Sequence, residues 1–283
     1  MNTGLRDRSE RTAGSADLQA KSRWVRQSVV RMIAGANRGH IGGSLSATDL
    51  LVALYHSPLL RFDTRSPLWD ERDRFIMSKG HAVEALYSVL ASAGFFDVEL
   101  LDTYGKSGSR LGGHVDHHLP GIDVSTGSLG HGLGIGAGLA LAGKLDGRDS
   151  LTVAMLGDGE CYEGSVWEAA NFAAHHRLRN LVAIIDRNGF ITLDSTEAVN
   201  KLEPFASKWK AFGWEVREFD GHSFEAISDA WSSVEDPTRQ RPIALIASTI
   251  KGKGISFMEG TPNWHHNVPK GTQLETAEKD VGI

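Results

Sequence analysis

The chain of 283 residues carries 30 Lys+Arg against 35 Asp+Glu, a formal net charge of −5, with a pI near 6.2. That balance excludes a polybasic binder of nucleic acid or anionic membrane, and 41% hydrophobic with 23% charged residues excludes a disordered chain. The single cysteine, Cys161, excludes an internal disulfide and fits a reducing compartment. No apolar run reaches the ~18 residues of a membrane span. Residues 1–16, with Arg6, Asp7, Arg8, Glu10 and Arg11, lack the apolar stretch of a secretory signal. The expectation is a cytoplasmic globular protein that buries roughly 75% of its unfolded surface.

Residues 1–16 read as a flexible polar arm. From Asp17 the apolar residues Leu18, Trp24, Val25, Val29, Met32 and Ile33 recur at helical spacing up to Gly35. Ser46 and Asp49 have the spacing of a capping box, predicting a helix through Leu50, Leu51, Leu54 and Tyr55. β-rich runs at 75–77, 151–156, 181–185, 214–219 and 243–247 then alternate with helical stretches at 82–92, 129–145, 163–177, 203–212 and 223–234. The run 181–185 is continuously apolar, as in a parallel sheet covered on both faces. Alternation of this kind predicts an α/β fold, a parallel sheet with helices on both faces, over residues 17–266. The stretch 267–283 is polar and reads as a tail. Ligands of such sheets bind beyond the carboxyl ends of the strands, so the residues just after each strand carry the information.

Glycine is enriched, at 32 residues; twelve of them fall between Gly105 and Gly143, where backbone must turn or approach something closely. Gly157-Asp158-Gly159 follows one predicted strand and Asp186-Arg187-Asn188-Gly189 the next. A carboxylate and an amide oxygen at neighbouring strand ends suit a hard cation such as Mg²⁺ or Ca²⁺, and the flanking glycines let a phosphate approach a helix N-terminus. Singly, each motif is equally well a tight turn; in this order and spacing they point to a cation–diphosphate site. Four histidines stand in glycine-rich or polar contexts: His40, His81, His114 and His265. Imidazoles there suit proton transfer near neutral pH. Asp116, His117 and His118 are clustered but lack a zinc-like ligand set. His175 and His176 fit a helix C-terminus, His56 a helix surface, and Cys161 a small buried hydrophobe.

Taken together, Gly39-His40, Ser78-Lys79-Gly80-His81, Thr126-Gly127-Ser128-Leu129-Gly130, Gly157-Asp158-Gly159 through Glu163-Gly164, Asn188, Lys251-Gly252-Lys253-Gly254 and Trp264-His265 resemble the N-terminal, diphosphate-binding half of transketolases. Gly-Asp-Gly with a downstream Asn is general to thiamine-diphosphate enzymes; Ser-Lys-Gly-His with His40 and His114 is particular to transketolases. The resemblance spans residues 20–268. It implies the thiamine diphosphate-binding (PP) fold, with Asp158, Asn188 and the carbonyl of Phe190 holding Mg²⁺, or Ca²⁺ or Mn²⁺ in its place. It further implies that His81, His265 and Gly159 contact the diphosphate, and that Gly127, Ser128, Leu129 and Lys251 line the cofactor. His40, His114 and His265 would face the reacting carbon and the sugar hydroxyls, and Glu163 would meet a partner domain. The chemistry belongs to the cofactor, whose C2 carbanion attacks a ketose carbonyl.

This sequence departs from the family's pattern in three places. His131 stands where a glutamine is usual, and the segment 188–194 carries one extra residue. Nothing past His266 has room for the domain with the glutamate that activates the cofactor. The resemblance therefore implies the N-terminal subunit of a split transketolase, paired with a second chain, self-associating through that complex into a heterotetramer, and acting on sugar phosphates without nucleic acid or membrane. Two other readings stand beside it: a 2-oxo acid dehydrogenase alpha-type subunit, or a non-catalytic thiamine diphosphate-binding module.

Overall fold

The computed structural model describes residues 14–283. Five strands, β1 (Arg74–Met77), β2 (Thr152–Gly157), β3 (Leu181–Arg187), β4 (Glu215–Asp220) and β5 (Ile243–Ser248), form one sheet in the order β1-β2-β3-β5-β4. Every neighbouring pair is parallel. Nine α-helices stand among the described residues: α1 (Ser15–Ala36), α2 (Ile41–His56), α3 (Val83–Ala93), α4 (Gly132–Leu145), α5 (Gly164–His175), α6 (Thr196–Val199), α7 (Phe205–Ala211), α8 (Phe224–Glu235) and α9 (Thr272–Val281).

Strand alternation divides the core in two. Phe75, Met77, Val153, Met155, Val182, Ile184, Ile243 and Leu245 point to the face covered by α1, α2, α3 and α8. Ile76, Ala154, Leu156, Leu181, Ala183, Ile185, Ala244 and Ile246 point to the face covered by α4, α5 and α7. The chain winds in one direction from β1 to β4 and reverses only from β4 back to β5, which puts α8 across the sheet from α4, α5 and α7. The α/β architecture expected from the alternation is the one found. Cys161 is buried in the second core, as a small hydrophobe would be. No helix among the described residues is long and apolar enough to cross a membrane.

Several local readings change. Ser15 and Ala16, assigned to the arm, open α1 and Gly14 precedes it as N-cap; residues 1–13 of the arm lie outside the described residues. Ser46 and Asp49 do not cap a helix. They lie inside α2, which starts at Ile41 and is buried from there through Tyr55. Their side chains instead make long-range bonds, Ser46 Oγ to Asp186 Oδ2 at 2.6 Å and Asp49 to Arg26. The polar stretch 267–283 contains α9, which packs on α1 through buried Ala277 and Val281. Its apolar stripe is narrow enough to read as polar. His56 is half-buried, not on an open surface, and its Nε2 lies 2.8 Å from Ser92 Oγ.

The strand-end loops interlock tightly. A Cβ at Gly132, the first residue of α4, would lie 2.3 Å from Ser78 Oγ and 2.8 Å from Ser78 Cα. Gly132→Ala is therefore expected to destabilise the protein by about 1–3 kcal/mol, as overpacking does. The check is a lowered urea midpoint at unchanged slope.

Candidate active site

The carboxyl ends of β1, β2, β3 and β5, four adjacent strands, deliver Ser78–His81, Asp158, Asn188 and Lys251 to one edge of the sheet. In register, Gly157 of β2 lies beside Asp186 of β3, so Asp158 and Asn188 emerge together. Asp158 is 1% and Asn188 9% exposed. Asp158 Oδ1 accepts from the Gly159 N–H at 2.8 Å, and Oδ2 accepts from the Gly189 N–H at 2.7 Å and from Arg187 Nη1 at 3.1 Å. Burial pushes the Asp158 carboxyl up, opposed by the Gly189 N–H and by Arg187. Asn188 Oδ1 accepts from the Phe190 N–H at 3.2 Å, an Asx-type turn that folds the segment back. The Phe190 carbonyl accepts from Lys251 Nζ at 3.1 Å, and Nζ also lies 2.9 Å from His265 Nδ1.

Histidines far apart in sequence converge on His40. Its ring centroid is 5.2 Å from His81, 5.9 Å from His114, 5.7 Å from His265 and 6.4 Å from His266. Burial first, then His114, His266 and Lys251, lowers His40 to about 4. Burial, then Lys251 and His40, lowers His265 to about 3, and burial beside Lys79 holds His81 well below its ordinary value. Lys251 is itself brought down to about 8 by burial and by Lys79. His40, His81 and His265 are thus neutral imidazoles at pH 7, set beside buried lysine charge and favourable to an arriving anion. Gly127 borders the cluster, since a Cβ there would lie 3.6 Å from His114 Cδ2. Ser128 and Leu129 follow it on the turn into α4. Glu163 is exposed at the start of α5, against Gly130, whose added Cβ would lie 2.6 Å from Glu163 Cβ.

Because His40 and His265, both half-buried, are held neutral in the folded chain, the unfolded chain binds more protons than the folded one between their folded values and 6.5. Stability is therefore fully present above about pH 6.5 and is lost as the pH falls toward 4. Thermal unfolding followed across pH 4.5–7.5 is expected to show the midpoint falling below pH 6.5, with a shallower fall in His265→Asn.

Beneath the site lies a layer that motif reading did not assign. Asp186, fully buried, pairs with Lys79 and accepts from Ser46 Oγ and Thr249 Oγ1. Burial alone would raise Asp186, but Lys79 holds it below the usual carboxylate range. Lys79 Nζ also donates to the Gly43 carbonyl at 3.1 Å. Glu160 accepts from Ser78 Oγ, from the Gly130 N–H at 2.9 Å and from the Gly157 N–H at 3.1 Å, joining the ends of β1 and β2 to the turn into α4. From α3, Glu84 accepts the His40 N–H at 3.1 Å, and the Tyr87 hydroxyl donates to the His114 carbonyl at 3.0 Å. Long-range partners of this kind leave no trace in local spacing. Arg187 also bonds Glu197 at 2.9 Å and Glu203 at 3.1 Å, closing the segment that carries Asn188 and Phe190. Asp116, His117 and His118 come together only at the exposed surface, three consecutive residues with no further ligand among the described residues.

The Asp158 carboxylate, Asn188 Oδ1 and the Phe190 carbonyl are all hard oxygen donors, the set a Mg²⁺-sized ion takes together with phosphate oxygens. That the Phe190 carbonyl already accepts an ammonium shows a position favourable to positive charge. His81, His265 and Lys251 beside it could donate to a diphosphate. Fold and site together define a domain of the thiamine diphosphate-binding class.

The chain belongs to the transketolase family: the family's thiamine diphosphate binding domain matches residues 19–283. It is 46% identical over 264 residues to an apulose-4-phosphate transketolase subunit of Phocaeicola vulgatus, covering 93% of each chain. It is 43% identical to a 6-deoxy-6-sulfo-D-fructose transketolase subunit of a Clostridium species, covering 86% of this chain and 88% of that one. Among solved structures, a transketolase from Campylobacter jejuni superposes with a TM-score of 0.89 at 28% identity. This chain is covered to 96% in that superposition but spans only 43% of the longer chain. The parallel sheet is thus the α/β fold of transketolases, and the chain is related to the subunits of transketolases made in pieces.

Proposed function

We propose that this chain is the cofactor-binding, N-terminal subunit of a transketolase that moves a two-carbon ketol unit from a ketose phosphate to an aldose phosphate, active only with a second chain that completes the site. The observation that carries the reading is the convergence of His40, His81, His114 and His265 beside Asp158, Asn188 and Lys251 at one sheet edge. The near full-length match to a protein named as a subunit supports the two-chain arrangement.

In this reading Asp158, Asn188 and the Phe190 carbonyl hold Mg²⁺, with Ca²⁺ or Mn²⁺ able to substitute. His81, His265, Lys251 and the Gly159 backbone bind the diphosphate, and Gly127, Ser128 and Leu129 line the rest of the cofactor. Bound thiamine diphosphate supplies the nucleophilic carbon at which the ketose carbon–carbon bond is broken. His40, His114 and His265 orient the sugar hydroxyls and take or return a proton there, a task suited to neutral imidazoles. Glu163, exposed at the start of α5, meets the second chain. The names of the relatives point to donors with an anionic group, phosphate or sulfonate, on an uncommon ketose.

The histidine cluster favours this reading over a 2-oxo acid dehydrogenase alpha-type subunit, and turnover separates it from a non-catalytic binding module. In the assembled complex, transfer of a labelled two-carbon unit between sugar phosphates is expected, abolished by EDTA and restored by Mg²⁺. Tight binding of thiamine diphosphate with no transfer to any aldose phosphate would contradict it.

A further inference from the structure

The segment 250–253, which carries Lys251, is held from outside the site by three residues that touch neither the histidine cluster nor the oxygen donors. Asp49 of α2 is 5% exposed. Arg26 of α1 engages both its oxygens, Nη1 to Oδ1 at 3.0 Å and Nη2 to Oδ2 at 2.6 Å. His222, in the turn between β4 and α8, places Nδ1 2.7 Å from Asp49 Oδ2. Its Nε2 accepts the Ile250 N–H at 2.9 Å. That backbone donor settles the tautomer by its bonding partners: Nε2 is the acceptor, so Nδ1 carries the proton and donates to Asp49.

Arg26 holds the other end of the segment, because its Nε donates to the Lys253 carbonyl at 3.0 Å. From a third side, the Gly252 N–H donates to the Gly42 carbonyl at 3.1 Å. Gly254, at φ +93°, passes so close that a Cβ would lie 2.9 Å from Arg26 Cδ. Between these clamps the Lys251 side chain, 1% exposed, reaches inward to the Phe190 carbonyl and to His265. A carboxylate that fixes a histidine, which in turn fixes a functional group, is the logic by which outer hydrogen bonds orient inner ligands.

We propose that Arg26, Asp49 and His222 are positioning residues for the cofactor site, acting through the backbone of 250–253 to aim Lys251. The proposal rests on the reading above that Lys251 serves the bound cofactor. Lys251 is long and flexible; fixing its backbone at both ends removes freedom that binding would otherwise have to take away.

The test has two arms, both on the full chain. Backbone hydrogen exchange across 249–254, read by mass spectrometry without cofactor, is expected to rise at least ~10-fold in His222→Ala. His222→Gln, which offers an acceptor near the Nε2 position, is expected to recover most of the protection. The second arm is a double-mutant cycle of His222→Ala and Lys251→Met, read as the affinity for Mg²⁺–thiamine diphosphate. His222→Ala alone is expected to weaken binding ~10-fold, and to cost less than twofold once Lys251 is already methionine. Asp49→Asn, close to isosteric, is expected to move both readouts in the same direction and serves where His222→Ala folds poorly. Unchanged exchange, or the same ~10-fold loss in the Lys251→Met background, would overturn the proposal. Wild-type affinity in Lys251→Met would instead overturn the assignment of Lys251 to the cofactor, leaving the exchange arm to decide whether the three residues hold the segment.

Discussion

Asp158→Ala is expected to abolish the metal-dependent part of thiamine diphosphate binding, a loss of roughly 10–100-fold in affinity. The size follows from the role proposed for the side chain: it is the only carboxylate in the proposed oxygen donor set, and hydrogen bonds or ligation to charged groups are worth roughly 1.5–3 kcal/mol each, about tenfold per 1.4 kcal/mol. The carboxylate also accepts the Gly159 and Gly189 N–H groups and Arg187 Nη1, so alanine removes a charge and leaves those donors without it. Asp158→Asn separates the two effects. It keeps the shape of the turn but not the charge; its NH2 must face one of the N–H groups that a carboxylate oxygen accepts, so it is expected to fold with a lowered unfolding midpoint while losing the Mg²⁺ response. Calorimetric titration with thiamine diphosphate, with and without Mg²⁺, reads both variants. Retention of metal-dependent binding in Asp158→Asn would remove this residue from the metal site.

His114→Ala is expected to act on turnover and hardly on the cofactor. In the reading proposed above His114 faces the sugar and holds none of the oxygen donors; its ring sits 5.9 Å from His40, while its backbone is tied to Tyr87. Deleting a general acid–base group costs roughly 10²–10⁴-fold in rate. In the assembled complex kcat is therefore expected to fall ~100-fold or more, with thiamine diphosphate affinity within twofold of wild type. A loss of cofactor binding matching that of Asp158→Ala would move His114 from the substrate to the cofactor.

The sheet was legible because its strands, apart from the polar edge strand β4, are short apolar runs separated by helix-length stretches, and parallel packing needs both. The place of the candidate site was legible because in such folds ligands bind just after the strands: Asp158, Asn188 and His81 each stand within a few residues of one. Spacing could not show what holds these residues. The partners of Asp186 come from α2, from the loop after β1 and from the end of β5, and those of His40 from α3. Ser46 and Asp49 were misread for the same reason. Their separation of three is shared by a capping box and by two buried residues of one helix with distant partners, and only tertiary contacts tell the two apart. α9 escaped notice because Leu274, Ala277 and Val281 are too few to outweigh its polar face, yet α1 offers them a surface.

Native mass spectrometry of the tagged chain, purified from its own cells with Mg²⁺ and thiamine diphosphate present, tests the central claim most directly. The account predicts a stoichiometric second chain, of a size suited to the pyrimidine-binding and C-terminal domains, in a complex that retains the cofactor and transfers a ketol unit between sugar phosphates. A chain recovered alone or only with copies of itself, binding the cofactor yet bringing no second chain, would contradict it.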